Sequence, residues 1–286
     1  MPELPEVESV RNGLVRARLR QPVVSVFRSR ALLRRGAGWE LENVRALVGA
    51  RPSRVDRRGK HIVWQFERED GAALGLIVHL GMSGRFGLAT PTQPRALHTH
   101  FALRFADDRE VRLVDPRRFG ALRVAAWDEL WRSEPLASLG PEPIDPGFDG
   151  ALLGARANES RRALRDVLLD QTVVAGVGNI YAIEACHLAG VHPLIGAHRL
   201  LPSAWDRLAL ALGAVMRQAI RNGGTTLRDF RDVSGEAGHN QDELQVYGRA
   251  GAPCPRCGIA LEGFVHAGRG GVFCPRDQAR PRGRVR

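Results

Sequence analysis

Lysine is almost missing from this chain: 41 of its 42 basic side chains are arginine, and the one lysine is Lys60. A drift to arginine follows genome composition and by itself says nothing about chemistry. A lysine kept against that drift still marks its position, because a compact, rotatable ammonium and a planar guanidinium fork are not equivalent at a tight site. Cysteine is scarce too, with four in 286 residues, which suits a reducing compartment and a metal better than a disulfide framework. No apolar run approaches the ~20 residues needed to cross a bilayer. The opening MPELPEVE is acidic and carries proline, so it lacks the basic-then-apolar start of a secretion signal. Aromatic residues make up 6% of the chain. Few of them accompany the basic clusters, which argues against a stacking platform for long single strands. Internal repeats are absent.

What is present points to a globular protein with a polyanionic partner. Hydrophobic residues at 44% and charged residues at 26% exclude wholesale disorder. The length suits one large domain or two ordinary ones. A formal charge of +11 asks for a partner such as nucleic acid.

The first twenty residues read as a helix, with Val7, Val10, Leu14 and Val15 at helical spacing, Pro5 suited to the first turn and Glu6 and Glu8 near its positive end. From about 22 to 126 short apolar or alternating runs (23–27, 61–66, 74–80, 101–105, 111–114 and 121–126) are separated by Gly, Pro and Asp clusters. That texture predicts an antiparallel sandwich or barrel. Residues 135–150 carry four prolines and three glycines, a linker signature. Helical patterns follow over 160–169, 181–189 and 202–222, two of them broken by the paired glycines of 171–179, a helix–turns–helix junction. Residues 223–248 are polar and glycine-rich and read as a mobile loop. The tail from 249 is too small for an apolar core of its own.

Three places carry chemistry. Cys254 and Cys257, sixteen residues, then Cys274 would make a zinc ribbon if position 277 were cysteine, but it is Asp277. The spacing leaves open a Cys3Asp site, a three-thiolate site completed by water or His266, and a hairpin that folds without metal. Cys186 falls on an apolar helix face and reads as core. Basic residues crowd at Arg51, Arg54, Arg57, Arg58, Lys60 and His61, and again at Arg269, Arg276, Arg280, Arg282, Arg284 and Arg286. With the net charge, these favour nucleic-acid backbone binding over a merely solvated face. At the start, removal of Met1 would expose Pro2 as a secondary amine, partly neutral near pH 7 because an α-amino group titrates near ~8. Such an amine attacking a sugar carbon gives an iminium directly. Glu3 beside it and Glu6 one turn on suit proton transfer and orientation. Pro and Glu are equally at home at any helix start.

Seven motifs in order then settle a resemblance: PELPEVE at 2–8, RRGKHI at 57–62, HLGMSGR at 79–85, DPRRFG at 115–120, GVGNIYA at 176–182, GGTTLRDF at 223–230 and ELQVYGR at 243–249. From end to end the chain resembles the formamidopyrimidine-DNA glycosylases, also called 8-oxoguanine DNA glycosylases. The resemblance implies an α+β protein divided as follows. An antiparallel β-sandwich domain with an N-terminal helix (1–134) and a linker (135–150) come first. A helical helix–two-turns–helix domain (151–248) with a lesion-capping loop at 223–243 comes next, and a zinc-finger-like β-hairpin with a basic tail (249–286) ends the chain. It implies a monomer of the bacterial cytosol or nucleoid that acts on damaged double-stranded DNA, away from membranes. Its work would be base excision repair of oxidised purines, with one structural zinc held by Cys254, Cys257, Cys274 and Asp277.

By the same resemblance Pro2 is the nucleophile toward C1′, and Glu3 the proton donor to the sugar ring oxygen. Glu6 supports the lesion pocket, and Lys60 grips phosphate near the lesion and assists catalysis. Met82, Arg117 and Phe119 fill the stack vacated by the extruded nucleotide. His79, Asn179, Arg269 and Tyr181 contact DNA phosphates. Two departures stand out. Asp277 replaces the fourth zinc cysteine, and GEAGHNQ at 235–241 lacks an aromatic common there. The rivals are an endonuclease VIII-like enzyme for oxidised pyrimidines, opposed by Leu4 and the complete Met82, Arg117 and Phe119 set, and a non-catalytic DNA-binding protein.

Overall fold

Acidic residues and a proline start the first helix, α1 (Leu4–Arg16). Pro5 lies in its first turn, where a missing N–H is harmless, and Glu6 faces the positive end of the helix dipole. Its buried residues Leu4, Val7, Val10 and Leu14 recur at three and four positions and give it one apolar face. The computed structural model describes residues 2–29, 41–157, 160–227 and 230–279.

Eight strands follow α1: β1 (Val23–Arg28), β2 (Arg51–Arg58), β3 (His61–Glu67), β4 (Ala73–His79), β5 (Arg85–Ala89), β6 (Thr99–Phe105), β7 (Glu110–Val114) and β8 (Ala121–Ala126). They form two four-stranded antiparallel sheets, in the orders β1-β6-β7-β5 and β2-β3-β4-β8. Trp64, Phe66, Leu76 and Val78 of one sheet share a buried cluster with Phe101, Leu103, Phe105 and Leu113 of the other, and α1 adds Val7, Val10 and Leu14. The Trp64 and Phe105 rings lie 6.2 Å apart across the layers. Six of the strands fall where the apolar runs predict them. β2 and β5 do not; β2 is an edge strand whose Arg51 and Arg54 face solvent, so its arginines mimic a surface charge cluster. A short helix, α2 (Trp127–Arg132), follows β8.

The chain forms two compact units, Met1–Ala137 with Asn222–His239, and Ser138–Arg221 with Asn240–Arg286. The second is built on α3 (Gly150–Ala157), α4 (Leu164–Leu168), α5 (Asn179–Ala189) and α6 (Pro202–Arg221), with α6 packed on both α3 and α5. The helix expected over 160–169 shortens to α4. Residues 160–163 are drawn instead into backbone pairing with 195–198: Leu164 N–H bonds the Ile195 carbonyl at 2.7 Å, and His198 N–H the Ser160 carbonyl at 2.9 Å. Between α4 and α5, Gln171 ties the junction together. Its Nε2 donates to the Leu169 and Val177 carbonyls and its Oε1 accepts from Gly176 N–H, each at 2.9 Å.

The proline-rich stretch after α2 is not loose. Gly140 N–H bonds the Gln171 carbonyl and the Pro141 carbonyl accepts from Ala175 N–H, both at 2.9 Å. The tail hairpin, β9 (Glu262–His266) and β10 (Arg269–Phe273), obtains a core by borrowing one. Leu261, Val272, Cys254 and Cys274 cluster with Ile183 of α5 and with Val246. The fold is therefore α+β: an antiparallel sandwich with an N-terminal helix, a helix–two-turns–helix unit and a zinc-finger-like hairpin.

Candidate active site and nucleic-acid interface

One carboxylate organises the N-terminal residues. Pro2 and Glu3 are buried, and the Glu3 N–H donates to Glu6 Oε2 at 2.8 Å, part of a capping box at the start of α1. The other oxygen, Oε1, accepts the Thr225 N–H at 2.7 Å. Glu6 thus fastens the first residues to the segment that follows α6. Glycine at 224 permits this approach: its φ is +89°, and a Cβ there would lie 3.1 Å from both Cγ and Oε1 of Glu6. Farther along the segment, the Val233 carbonyl accepts from Leu88 N–H at 3.0 Å. Asp232 Oδ1 accepts from the Ser234 and Glu236 N–H groups at 2.8 and 3.0 Å. The stretch read as a mobile loop therefore has its own set of bonds within the first unit over 222–239.

Lys60 shares with Gly59 the tight turn between β2 and β3 and is buried. Arg57 anchors that turn to α1, donating from Nε to Glu8 Oε2 at 2.8 Å and from Nη1 to the Gly59 carbonyl at 3.2 Å. Arg11 bonds the other Glu8 oxygen. Burial alone would raise the Glu8 pKa, but the guanidiniums of Arg11 and Arg57 outweigh it and hold the carboxyl below its ordinary range. A depressed carboxyl contributes stability that is present above its unfolded pKa and lost as pH falls through the folded one. Glu8→Gln is thus expected to melt lower than the parent at pH 7, with the gap closing below about pH 4. Melting curves at both pH values check this, and a gap that persists in acid refutes it.

His79 ends β4, and its Nδ1 accepts the Gly81 N–H at 3.0 Å. The neutral ring therefore keeps its proton on Nε2. Met82 stands at the tip of the next turn, 45% exposed. The Arg117 guanidinium lies 5.0 Å from the Phe119 ring centroid. Met82 and Arg117 are exposed and Phe119 is half-buried, so none of the three is spent on the core.

In the second unit, Asn179 opens α5 and donates from Nδ2 to the Gly270 carbonyl at 2.8 Å, while its Oδ1 is buried with no hydrogen-bond partner among the described residues. Arg269 begins β10 with its side chain exposed. Tyr181 is 1% exposed on the buried face of α5, so its assignment to DNA rests on the resemblance alone. The sequence reading missed the residue that braces this corner. Arg165, fully buried in α4, donates to the carbonyls of His266 at 2.8 Å and Arg269 at 3.2 Å and to Asp166 at 2.9 Å. His266 bonds the other Asp166 oxygen at 2.7 Å. Of the tail arginines, Arg280, Arg282, Arg284 and Arg286 lie outside the described residues.

The donor atoms of Cys254, Cys257, Cys274 and Asp277 lie within 4.8 Å of one another. Tetrahedral zinc with sulfur at about 2.3 Å and oxygen at about 2.1 Å places its ligand atoms about 3.6–3.8 Å apart. The Cys257 and Cys274 sulfurs are 3.4 Å apart, and Cys254 Sγ is 3.8 Å from Asp277 Oδ2. These donors fit one structural zinc, and His266 is engaged elsewhere. Cys186 stays apart: burial pushes its thiol up to about 12. Because thiolate is the softer ligand, Asp277→Cys is expected to retain zinc at higher chelator concentration. Equal retention in a chelator titration would remove Asp277 from the ligand set.

Three family models cover the chain: Formamidopyrimidine-DNA glycosylase N-terminal domain over residues 1–122, Formamidopyrimidine-DNA glycosylase H2TH domain over 139–231, and Zinc finger found in FPG and IleRS over 251–280. This combination of sandwich, two-turn helical unit and zinc hairpin is that of a DNA glycosylase of base excision repair. The chain belongs to the formamidopyrimidine-DNA glycosylase family, whose members pair glycosylase with AP lyase activity. It is 40% identical to the formamidopyrimidine-DNA glycosylase of Geobacillus kaustophilus over 97% of this chain and 100% of that one. With the Halorhodospira halophila enzyme the identity is 43%, at the same coverage. Among solved structures, Lactococcus lactis Fpg in complex with an N7-benzyl-Fapy-dG containing DNA matches with a TM-score of 0.87 at 34% identity, covering 98% of this chain and 100% of that chain. No helix among the described residues is long and apolar enough to cross a membrane.

Proposed function

We propose that this protein excises oxidised purines from duplex DNA through Pro2 and then cuts the strand. The observation that carries this reading is the Glu6 carboxylate, which fixes the segment Pro2–Glu3 by a 2.8 Å bond and leaves the N-terminal amine of the processed chain at the head of a rigid helix. Similar structures hold DNA with Fapy-dG, carbocyclic 8-oxo-G, an abasic site and an oxidised pyrimidine. The purine lesions among them support damaged purines as substrates here, and the oxidised pyrimidine admits pyrimidines as well.

In this reading the neutral Pro2 nitrogen forms a bond to C1′ and the bond from C1′ to the base breaks, its electrons leaving with the base, which is protonated as the nitrogen gives up its own proton. Glu3 donates a proton to the ring oxygen, the sugar opens, and the nitrogen–carbon bond becomes an iminium. The iminium acidifies C2′. Loss of its proton expels the 3′ phosphate, a second elimination expels the 5′ phosphate, and water frees Pro2. Lys60, fixed on its turn, holds a phosphate near the lesion. Met82, Arg117 and Phe119 occupy the vacated stack, while His79, Asn179 and Arg269 bind the backbone. The zinc held by Cys254, Cys257, Cys274 and Asp277 supplies structure to the hairpin and takes no part in bond breaking.

Mixing the protein with an 8-oxoguanine:cytosine duplex and borohydride tests the core of this. A reduced adduct on the N-terminal peptide is expected, and no adduct would favour a non-catalytic DNA-binding protein. Faster cutting at thymine glycol than at 8-oxoguanine would shift the reading to pyrimidines. Lys60→Arg keeps the charge but replaces a point donor with a bulkier fork in a buried turn. Single-turnover excision is expected to slow by about tenfold or more, and an unchanged rate would leave the lone lysine without a reason.

A further inference from the structure

Asp115 follows β7 and is fully buried, yet it touches none of the groups assigned to the reaction chemistry. Its two oxygens reach two different turns. Oδ1 accepts the Ser83 hydroxyl at 2.6 Å, on the turn that carries Met82. Oδ2 accepts the Gly120 N–H at 2.7 Å, closing the turn that carries Arg117 and Phe119. Ser83 Oγ in turn accepts the Arg117 N–H at 3.2 Å.

The backbone of Asp115 is equally engaged. Its N–H bonds the His98 carbonyl at 3.0 Å, and its carbonyl accepts from Arg118 N–H at 3.1 Å. The same carbonyl takes a bond from His100 Nε2 at 3.1 Å, which fixes that ring's tautomer and leaves Nδ1 to accept from the Ser29 hydroxyl at 2.9 Å. The two turns also touch directly at Gly81, whose φ is +66° and where a Cβ would lie 2.4 Å from the Phe119 carbonyl carbon. Two loops joined this closely by one desolvated carboxyl that accepts from both move as one body.

We propose that Asp115 is a positioning residue that locks the Met82 turn and the Arg117–Phe119 turn into one preformed wedge, before any DNA is bound. The proposal rests on the reading that these three side chains replace an extruded nucleotide. Prepaying the order of both turns removes that cost from the extrusion step. It has no bearing on chemistry at a nucleotide that is already unstacked.

Two substrates separate the roles. One is a duplex with 8-oxoguanine opposite cytosine, read as single-turnover excision. The other is a single-stranded oligonucleotide with a preformed abasic site, read as the rate of borohydride trapping. Asp115→Asn turns one acceptor into a donor at nearly constant volume, and Ser83→Ala breaks one tie at a half-buried position. Asp115→Asn is expected to slow duplex excision about tenfold or more, and Ser83→Ala by less, with parent-like trapping on the single strand. Unchanged duplex excision in both variants overturns the proposal. So do equal losses on both substrates, which a damaged fold or catalytic pocket would produce. A parent protein that traps on neither oligonucleotide overturns the Pro2 reading instead.

Discussion

Glu3→Gln is expected to cut base excision by about 10²–10⁴-fold while leaving strand cleavage at a preformed abasic site much less affected. Glutamine keeps the shape of the side chain and can still accept a hydrogen bond, so α1 should keep its start and the melting temperature should stay close to the parent's. What it lacks is a proton to give the ring oxygen as the sugar opens. An abasic sugar already equilibrates with its open aldehyde, so the amine can condense with it unaided. The measurement pairs single-turnover release of 8-oxoguanine with borohydride trapping on abasic DNA. Equal losses on both would assign Glu3 to holding Pro2 in place and remove it from proton transfer.

Glu6→Ala is expected to reduce both stability and excision, and the first of these distinguishes two roles. A side chain that only lines a lesion pocket contributes nothing to melting in the absence of DNA. Here the carboxylate accepts from the Glu3 and Thr225 N–H groups, at 2.8 and 2.7 Å. Removing it takes away the acceptor of two buried N–H donors, at about 1–3 kcal/mol each. Gly224→Ala should act in the same direction by crowding Glu6 and straining a backbone at φ +89°. Because the two residues touch, the double variant should lose less than the sum of the single losses. A DNA-free melting temperature unmoved by Glu6→Ala would reject the fastening role.

Much of this was legible in the chain, for reasons that differ by element. The sandwich strands that pack on both sides announce themselves as apolar runs, and α1, α5 and α6 show three-and-four periodicity over enough turns to be read. β2 was hidden by its own chemistry, since RPSRVDRR at a sheet edge has few groups to bury. α4 is short because residues beside it pair with a strand-like stretch thirty-odd positions away, which no local window contains. The site divides in the same way. Pro2, Glu3, Lys60 and the cysteines are visible as motifs or as outliers in composition. The roles of Asp115, Arg165 and Gln171 are not, because each works through hydrogen bonds whose partners cannot be counted before the fold is known. Glu184 is a fourth of this kind: buried in α5, it accepts three N–H groups from residues 245–247 and so seats the chain ahead of the cysteines.

The Arg165 clamp has a consequence for how the tail comes apart. The hairpin is moored at both ends, by four metal-binding donors at its base and by a guanidinium gripping the His266 and Arg269 carbonyls at its tip. Stripping the ion therefore frees only the base, and the tip stays docked on α4. Demetallation should look like a local fraying, open to a protease near 254–257 and 274–277, rather than the release of a whole finger, and restoring the ion should reseat it without a search.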